Sequence, residues 1–353
     1  IKNSENFLSP ILYEYNHWNG RYTSAAFMTH SPLTWSTNSY LRFFPLLSFF
    51  CFYLSSLLLF REVTIKKTID FKIASITLIL CLLMTFSSRD ASTFFYWFAG
   101  NVNYYLPWIF HSLQIVVLLR WRNGSFSSSL SLFLLVPICV MSVGFNEVAM
   151  LTCFWIHVAF FLNYPIDSFL PRLQKLNRHE LLVFLVLLAL IIFCIFVVVA
   201  APGNSLRGSH FDDSGSILRT LFGPIIFFPY HLIRIIAAGI PLFLFSLFLF
   251  KSPRINTIRK VPVSLMILIF LAYLTLFMPK FYGTGGGPNN RILSYLNFPF
   301  LILFFAFSRF YLDRFNHFYK KYRSMAFLLV AIYFVFSTNC LLYTSDAADE
   351  RQS

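Results

Sequence analysis

Long apolar runs separated by short polar loops are the main pattern along the chain. A helix needs roughly 20 mostly apolar residues to cross the hydrocarbon core of a bilayer. Runs that approach this length predict ten spanning helices, at 41–60, 73–88, 104–119, 129–145, 148–163, 181–200, 225–250, 261–278, 292–308 and 325–340. The predicted fold class is therefore all-α, a polytopic transmembrane helical bundle that forms a single domain over residues 1–339.

The loops between these runs alternate in character, which predicts the side of the membrane on which each lies. Most of the 28 basic residues fall in five loops, at 61–72, 120–122, 172–178, 251–260 and 309–323. Short cytoplasmic loops retain Lys and Arg, so these five loops are assigned to the cytoplasm. The intervening loops then face the exterior, and residues 1–40 form the first extracytoplasmic loop.

Both ends of the chain are expected to be incomplete. The sequence begins within a polar loop and without an initiator Met, so a lost N-terminal span is expected, which would make eleven. Residues 340–350 resemble the translation of an adapter used in sequencing libraries. The segment 340–353 is therefore predicted to be an artefact and a tail.

The composition supports a membrane as the solvent of this chain. Of the 353 residues, 58% are hydrophobic and only 12% are charged, which is too apolar for a soluble domain of this length. The net charge of +14 falls in short clusters and not on one continuous stripe, so no nucleic-acid partner is expected. Without a C-x-x-C pair, the cysteines inside apolar runs are predicted to be packing residues. These are Cys51, Cys81, Cys139, Cys153 and Cys194.

Acidic residues in the exterior loops are the candidate catalytic groups. Glu14, Asp90 and Glu147 are isolated carboxylates in polar segments next to predicted spans, where a charge is costly unless it pairs, meets water or binds a ligand. Each is a candidate general base whose pKa its surroundings would match to the task. A divalent metal is left open as a cofactor, but no ligand spacing demonstrates one and no metal ligands are assigned.

Arginines, aromatic residues and amides in the same loops form the candidate substrate-binding set. Guanidinium groups make paired, charge-assisted hydrogen bonds to phosphate, and aromatic faces suit either a sugar ring or the membrane interface. The predicted substrate-binding residues are Trp18, Asn19, Arg21, Arg89, Trp97, Asn103, Tyr104, Asn204, Arg207 and Arg291. A phosphate next to a sugar describes a lipid-linked sugar donor of the polyprenyl-phosphate type.

A structural role competes with each catalytic role. Glu14 and Arg21 lie seven residues apart and on a helix would share a face as an ion pair. Asp90 would cap a helix that starts directly after it, and Glu147 would interact with the dipole of the helix that follows a tight turn. The glycine-rich segment 283–287 is either a lid over a cavity or a plain surface connection.

Four short motifs lie in these exterior loops. They are Trp18-Asn19-Gly20-Arg21, Tyr96-Trp97 with Asn103-Tyr104, Asn146-Glu147, and Pro202-Gly203-Asn204 with Arg207. With them the chain resembles, over most of residues 10–310, a bacterial multi-spanning family that looks like part of the GT-C glycosyltransferase superfamily. The resemblance implies an inverting transfer from a lipid-phosphate sugar, with Glu14 at the position of the acidic base. It also implies the inner (plasma) membrane of a bacterium, with the active face extracytoplasmic.

Three functions remain open on this reading. The leading hypothesis is a glycosyltransferase, whose partners are a lipid-linked sugar donor, a glycan or lipid acceptor and membrane lipids. A transporter or flippase of lipid-linked glycans would place ionisable residues at mid-membrane, but carboxylates are nearly absent from the span centres. A polysaccharide polymerase or ligase shares the exterior site and differs in the size of its donor. A non-catalytic scaffold would need none of the motifs.

Overall fold

Helices make up the regular structure of the part of the chain that the computed structural model describes. The described residues are 8–29, 38–64, 71–86, 95–162, 178–211, 214–230, 263–284 and 292–295. Their helices are α1 (Leu8–His17), α2 (Tyr22–Thr29), α3 (Asn38–Thr64), α4 (Phe71–Phe86), α5 (Phe98–Arg122), α6 (Ser128–Val143), α7 (Glu147–Leu162), α8 (Arg178–Val199), α9 (Pro202–Gly208), α10 (Ile217–Tyr230) and α11 (Val263–Thr284). These ranges contain no strand, which confirms the all-α fold class.

Three of these helices are long and apolar enough to cross a membrane, by length and composition. They are α5, α8 and the stretch Phe43–Glu62 of α3, and they coincide with the predicted spans 104–119, 181–200 and 41–60. Five further predicted spans fall wholly or partly on α4, α6, α7, α10 and α11. The span 325–340 and most of 292–308 lie outside the described residues.

The surface of α8 shows why these helices need an apolar surrounding. Only 28% of the residues in its most apolar stretch are buried inside the protein. Large side chains such as Ile192, Phe193 and Phe196 project outward with more than half of their surface exposed. A surface helix of a soluble protein would carry polar side chains there, so the exposed apolar face indicates a membrane protein.

Side-chain contacts show how the first spanning helices run. α3 and α5 are parallel, because Asn101 Nδ2 donates to Ser48 Oγ at 2.9 Å near their beginnings and Arg120 Nε pairs with Glu62 Oε1 at 2.8 Å near their ends. α4 runs in the opposite direction, and its Thr85 hydroxyl lies 3.1 Å from that of Tyr105 at the beginning of α5. The end of the bundle with Glu62, Arg120 and Arg122 is called the basic end below.

The opposite end of the bundle, called the polar end, is defined by Arg21, Glu147 and Arg207. α5 and α7 begin here, and α6 and α8 end here. Successive helices thus reverse direction, and the predicted exterior and cytoplasmic loops within the described ranges come to opposite ends of the bundle.

An aromatic core lies beneath the polar end and fixes the helices that carry the site. Phe52 of α3 packs on Tyr105 and Trp108 of α5, with ring centroids 5.4 and 5.3 Å away. Phe145 and Phe277 join the same cluster and are fully buried. Such ring pairs combine large buried area with a preferred geometry, so the beginnings of α5 and α7 are held together.

The cysteines within the described helices are free thiols, four of them buried. Cys139, Cys153 and Cys194 pack between α6, α7 and α8, so the prediction that they are packing residues is consistent with their position.

Candidate functional site

Arg21 is placed by a tight turn between α1 and α2. The backbone N–H groups of Trp18 and Asn19 both donate to the Glu14 carbonyl, at 2.9 and 3.0 Å, so α1 ends at His17. The Asn19 side chain then accepts from the Arg21 N–H at 2.9 Å. This local hydrogen bonding is typical of Asn in turns and turns the chain back toward the bundle.

Gly20 lets this turn lie close to the end of α8 and to the beginning of α9. Its N–H donates to Asn204 Oδ1 at 3.3 Å, and Asn204 Nδ2 donates to the Val198 carbonyl at 2.6 Å. A Cβ added to Gly20 would collide with the Val198 carbonyl oxygen and lie 2.9 Å from the Ala201 Cβ. Only glycine fits such an approach of two backbones, which explains its place in the Trp18–Arg21 motif.

Glu147 is placed by the capped beginning of α7. The Asn146 side-chain oxygen accepts from the backbone N–H groups of Val148 and Ala149 at 2.8 and 2.9 Å, and its amide donates to the Asn103 carbonyl. Asn146 is therefore the cap, and Glu147 occupies the first turn, where the helix dipole favours a negative charge. The dipole role considered from the sequence matches this position.

The three defining side chains of the polar end form one ionic cluster. Arg21 binds Glu147 side-on, with Nε 3.2 Å from Oε1 and Nη2 2.7 Å from Oε2. Arg207 Nη2 lies 3.5 Å from the same Oε1. The three side chains keep between 18% and 23% of their surface exposed, so the cluster is open to a ligand from outside the bundle.

Two further side chains extend the cluster. The Lys280 ammonium of α11 interacts electrostatically with both guanidinium groups and with Glu147, and the Tyr104 hydroxyl interacts with Arg21 and Arg207. Tyr104 belongs to the π-helical turn Asn101–Tyr105 inside α5, and such turns are frequent at functional sites. Among the described side chains of the cluster, two guanidinium groups contact one carboxylate and a third cation lies within electrostatic range, which suits an anionic ligand.

The two arginines keep Glu147 ionised. Burial acts to raise the pKa of this carboxyl, but Arg21 and Arg207 outweigh it and lower the pKa to about 2. Glu147 precedes the predicted span 148–163, at the surface of the bundle. Because a general base works best with a pKa near the operating pH, Glu147 in this arrangement is a weak base. Burial and the neighbouring Arg21 lower the pKa of Arg207.

The predicted site residues fall into three groups in the structure. Arg21, Glu147, Arg207 and Tyr104 come together in the cluster. Asn19, Asn103 and Asn204 lie around it and use their side chains in hydrogen bonds that fix the surrounding turns. Trp18 and Trp97 are about half exposed. Arg89, Asp90 and Arg291 lie outside the described residues.

Glu14 does not form the ion pair with Arg21 that their spacing suggested, because Arg21 pairs with Glu147. Glu14 is partly exposed in α1 and makes no side-chain ion pair or hydrogen bond within the described ranges. A Cβ on Gly283 would lie 4.0 Å from Arg207 Nη2, so the glycine-rich segment 283–287 starts beside the cluster; residues 285–291 lie outside the described part.

Sequence reasoning missed Lys280. It follows Pro279 directly, at the end of the apolar run predicted as span 261–278. A lone lysine at such a position usually extends its ammonium to the membrane interface, and no motif surrounds it. The signal available was its position: the alternation of loops places the end of this span on the same side as the other site residues.

No metal centre is evident in the ranges that the structure describes. They contain no group of three or more His, Cys, Asp or Glu side chains that would hold a metal ion. The described cluster has a single carboxylate, and divalent cations such as Mg²⁺ prefer several oxygen ligands.

Comparisons with family models, with curated proteins and with solved structures give no match to this chain. The chemistry of the site is therefore the basis for assigning a function.

Proposed function

We propose that this chain is an integral-membrane glycosyltransferase of the GT-C type, with ten or eleven spans in a bacterial inner membrane. It moves a sugar from a polyprenyl-phosphate donor to a cell-surface glycan or lipid acceptor on the extracytoplasmic face. The observation that carries the proposal is the cluster of Arg21, Arg207 and Lys280 around Glu147 at one end of an apolar bundle.

The cations of the cluster suit the phosphate of such a donor. When the bond between the sugar and the phosphate breaks, negative charge develops on the departing phosphate oxygen. Positively charged donors fixed in advance around that position stabilise the transition state more than the ground state. A guanidinium group offers paired hydrogen-bond donors to phosphate, and the contact of Arg207 with Glu147 is long, at 3.5 Å.

The aromatic residues around the cluster suit the sugar. Trp18 is 52% exposed and directly precedes the Asn19–Arg21 turn, and Trp97 is 49% exposed just before the π-helical turn. Large flat side chains pack well against the apolar face of a sugar ring. Trp18 lies three residues before Arg21, and Trp97 lies at the beginning of the helix that carries Tyr104, so both side chains are candidates to hold the sugar beside its leaving group.

Glu14 is the leading candidate for the base and Asp90 is the second. The base takes the proton of an acceptor hydroxyl, the hydroxyl oxygen bonds to the anomeric carbon, and the bond to the lipid phosphate breaks with inversion. Glu14 lies in α1, next to the turn that carries Trp18 and Arg21. Unlike Glu147, its carboxylate has no arginine partner among the described residues.

Sugar transfer tests this function directly. Membranes containing the chain are supplied with radiolabelled polyprenyl-phosphate sugars, and transfer of label to endogenous acceptors is measured. Glu14→Gln or Asp90→Asn is expected to reduce transfer about 10²-fold or more, because general-base catalysis typically contributes 10²–10⁴-fold. Glu62→Gln, which removes a carboxylate at the basic end, serves as the matched control and should keep activity. Full activity in both Glu14→Gln and Asp90→Asn would reject this mechanism.

A transporter or flippase of lipid-linked glycans is the second candidate. The observation in its favour is a set of buried polar side chains inside the bundle, His111 and Gln114 of α5 and His157 of α7, because polar groups at membrane depth often mark a transport pathway. Movement of a labelled prenyl-phosphate sugar across protein-containing liposomes, without transfer to an acceptor, would support this candidate. A polymerase or ligase would instead transfer a larger donor at the same site.

A further inference from the structure

We propose that Glu147 occupies the place of the donor phosphate when the site is empty, and that the donor binds by exchanging with this carboxylate between Arg21 and Arg207. The inference rests on the proposed function in that it takes the lipid phosphate as the ligand of the cluster, a diester in the sugar donor and a monoester once the sugar has left. It adds a residue that sets the affinity and the specificity of the site.

Glu147 occupies the hydrogen-bond donors of Arg21 that a phosphate would need. Arg21 presents Nε and Nη2 to the two carboxylate oxygens, at 3.2 and 2.7 Å. A phosphate binds a guanidinium group through the same pair of parallel hydrogen bonds. The Glu147 carboxylate and a phosphate therefore compete for this edge of Arg21. A phosphate binds there only after Glu147 leaves.

The contact between Arg207 and Glu147 is longer than an ordinary charge-assisted hydrogen bond. Charge-assisted hydrogen bonds between nitrogen and oxygen are about 2.7–2.9 Å long, whereas Arg207 Nη2 lies 3.5 Å from Glu147 Oε1. A phosphate that enters from the exposed side can bind Arg207 first, with Lys280 as a further cation in electrostatic range. The transfer of Arg21 from carboxylate to phosphate then follows.

Glu147 can leave without moving the helix that carries it. Asn146 fixes the beginning of α7 through backbone hydrogen bonds that do not involve the Glu147 side chain. The Glu147 side chain is 23% exposed, so a change of rotamer takes its carboxylate into the surroundings. The α7 dipole still favours its charge there.

The exchange explains why a carboxylate belongs in a phosphate site. An empty cluster of cations close to a membrane would be costly, and Glu147 neutralises part of that charge until the donor arrives. A weak monoanionic ligand gains little by replacing another carboxylate. The prenyl phosphate monoester that forms as the sugar leaves carries more charge and more acceptor oxygens, so the exchange favours the departing phosphate over a carboxylate.

The test is the affinity of the purified, detergent-solubilised chain for citronellyl phosphate, a short water-soluble prenyl phosphate, measured by titration calorimetry. Glu147→Gln keeps the size of the side chain and removes its charge, so it is expected to bind the probe about tenfold more tightly or better, which is about 1.4 kcal/mol or more. Glu147→Asp, with a shorter carboxylate, should show a smaller gain. Glu62→Gln should bind like the wild type.

The outcomes separate this inference from the proposed function. Equal or weaker binding by whichever Glu147 variant folds, as judged by thermal unfolding, would overturn the exchange, and so would a lack of binding by the wild type and the variants alike. Tighter binding by the variants in a chain that transfers no sugar would reject the glycosyltransferase and leave the exchange standing. Sugar transfer by the wild type without tighter binding in the variants would reject the exchange alone.

Discussion

Sugar transfer should fall about 10²–10³-fold when Arg207 is replaced by glutamine, which is the usual cost of removing one preorganised charge donor from a transition state. Arg207 lies in the short helix α9 and is 22% exposed, and its ionic contact with Glu147 is long, at 3.5 Å. The variant leaves the side-on pair of Arg21 and Glu147 in place. Its main effect should therefore be on transfer and on binding of prenyl phosphate, with little change in thermal unfolding.

Arg219→Gln is the matched control for this prediction. Arg219 is exposed in α10, close in sequence to the same end of the bundle, and its replacement makes the same change of net charge. Transfer by Arg219→Gln should stay close to that of the wild type. If both variants lose activity equally, the effect comes from the general charge of this surface and the specific role of Arg207 is rejected.

Replacing Gly20 by alanine should destabilise the folded chain by about 1–3 kcal/mol, the usual cost of forcing an extra methyl group into a close-packed position. The added Cβ would meet the Val198 carbonyl oxygen and the Ala201 Cβ. The turn that carries Arg21 must then move away from α8, so affinity for prenyl phosphate should fall together with the unfolding temperature. Both are measured on the detergent-solubilised protein.

Gly208→Ala provides the control for the loss of a glycine. A Cβ at Gly208 would have Ser214 Oγ at 3.8 Å as its nearest neighbour, which is an ordinary contact. This variant should therefore unfold at nearly the same temperature as the wild type. An unfolding temperature for Gly20→Ala that matches that of Gly208→Ala would show that α8 and the turn do not approach as closely as described.

The spanning helices were accessible to sequence reasoning because their signal is local. The helix Arg178–Val199 is apolar on all sides from residue 181 onward, and its length matches the thickness of a bilayer. The alternation of basic loops likewise predicted which helix ends meet, and Glu62 with Arg120 confirms that the ends of α3 and α5 lie together. Helix boundaries differ by a few residues because caps such as Asn146 set them and hydropathy does not.

The pairing within the site was not accessible in the same way. Arg21 and Glu147 are 126 residues apart, and they meet because the α1–α2 turn packs on the segment before α7, where the Thr23 N–H donates to the Gly144 carbonyl. The spacing of Glu14 and Arg21 suggested a shared helix face, but α1 ends before Arg21. The motifs contain Arg21, Glu147 and Arg207, and tertiary packing decides that these side chains meet.

The central claim is that the cluster of Arg21, Glu147 and Arg207 faces the exterior of the cell, where a lipid-linked sugar would reach it. Ser205→Cys places a thiol at an exposed position of α9 beside the cluster, and Ser125→Cys places one at an exposed position after α5 at the basic end. Spheroplasts carrying each variant are treated with a membrane-impermeant maleimide, and the chain without added cysteines gives the background. We expect labelling of Ser205→Cys in intact spheroplasts and of Ser125→Cys only after permeabilisation. The reverse pattern would place the cluster in the cytosol and contradict the account.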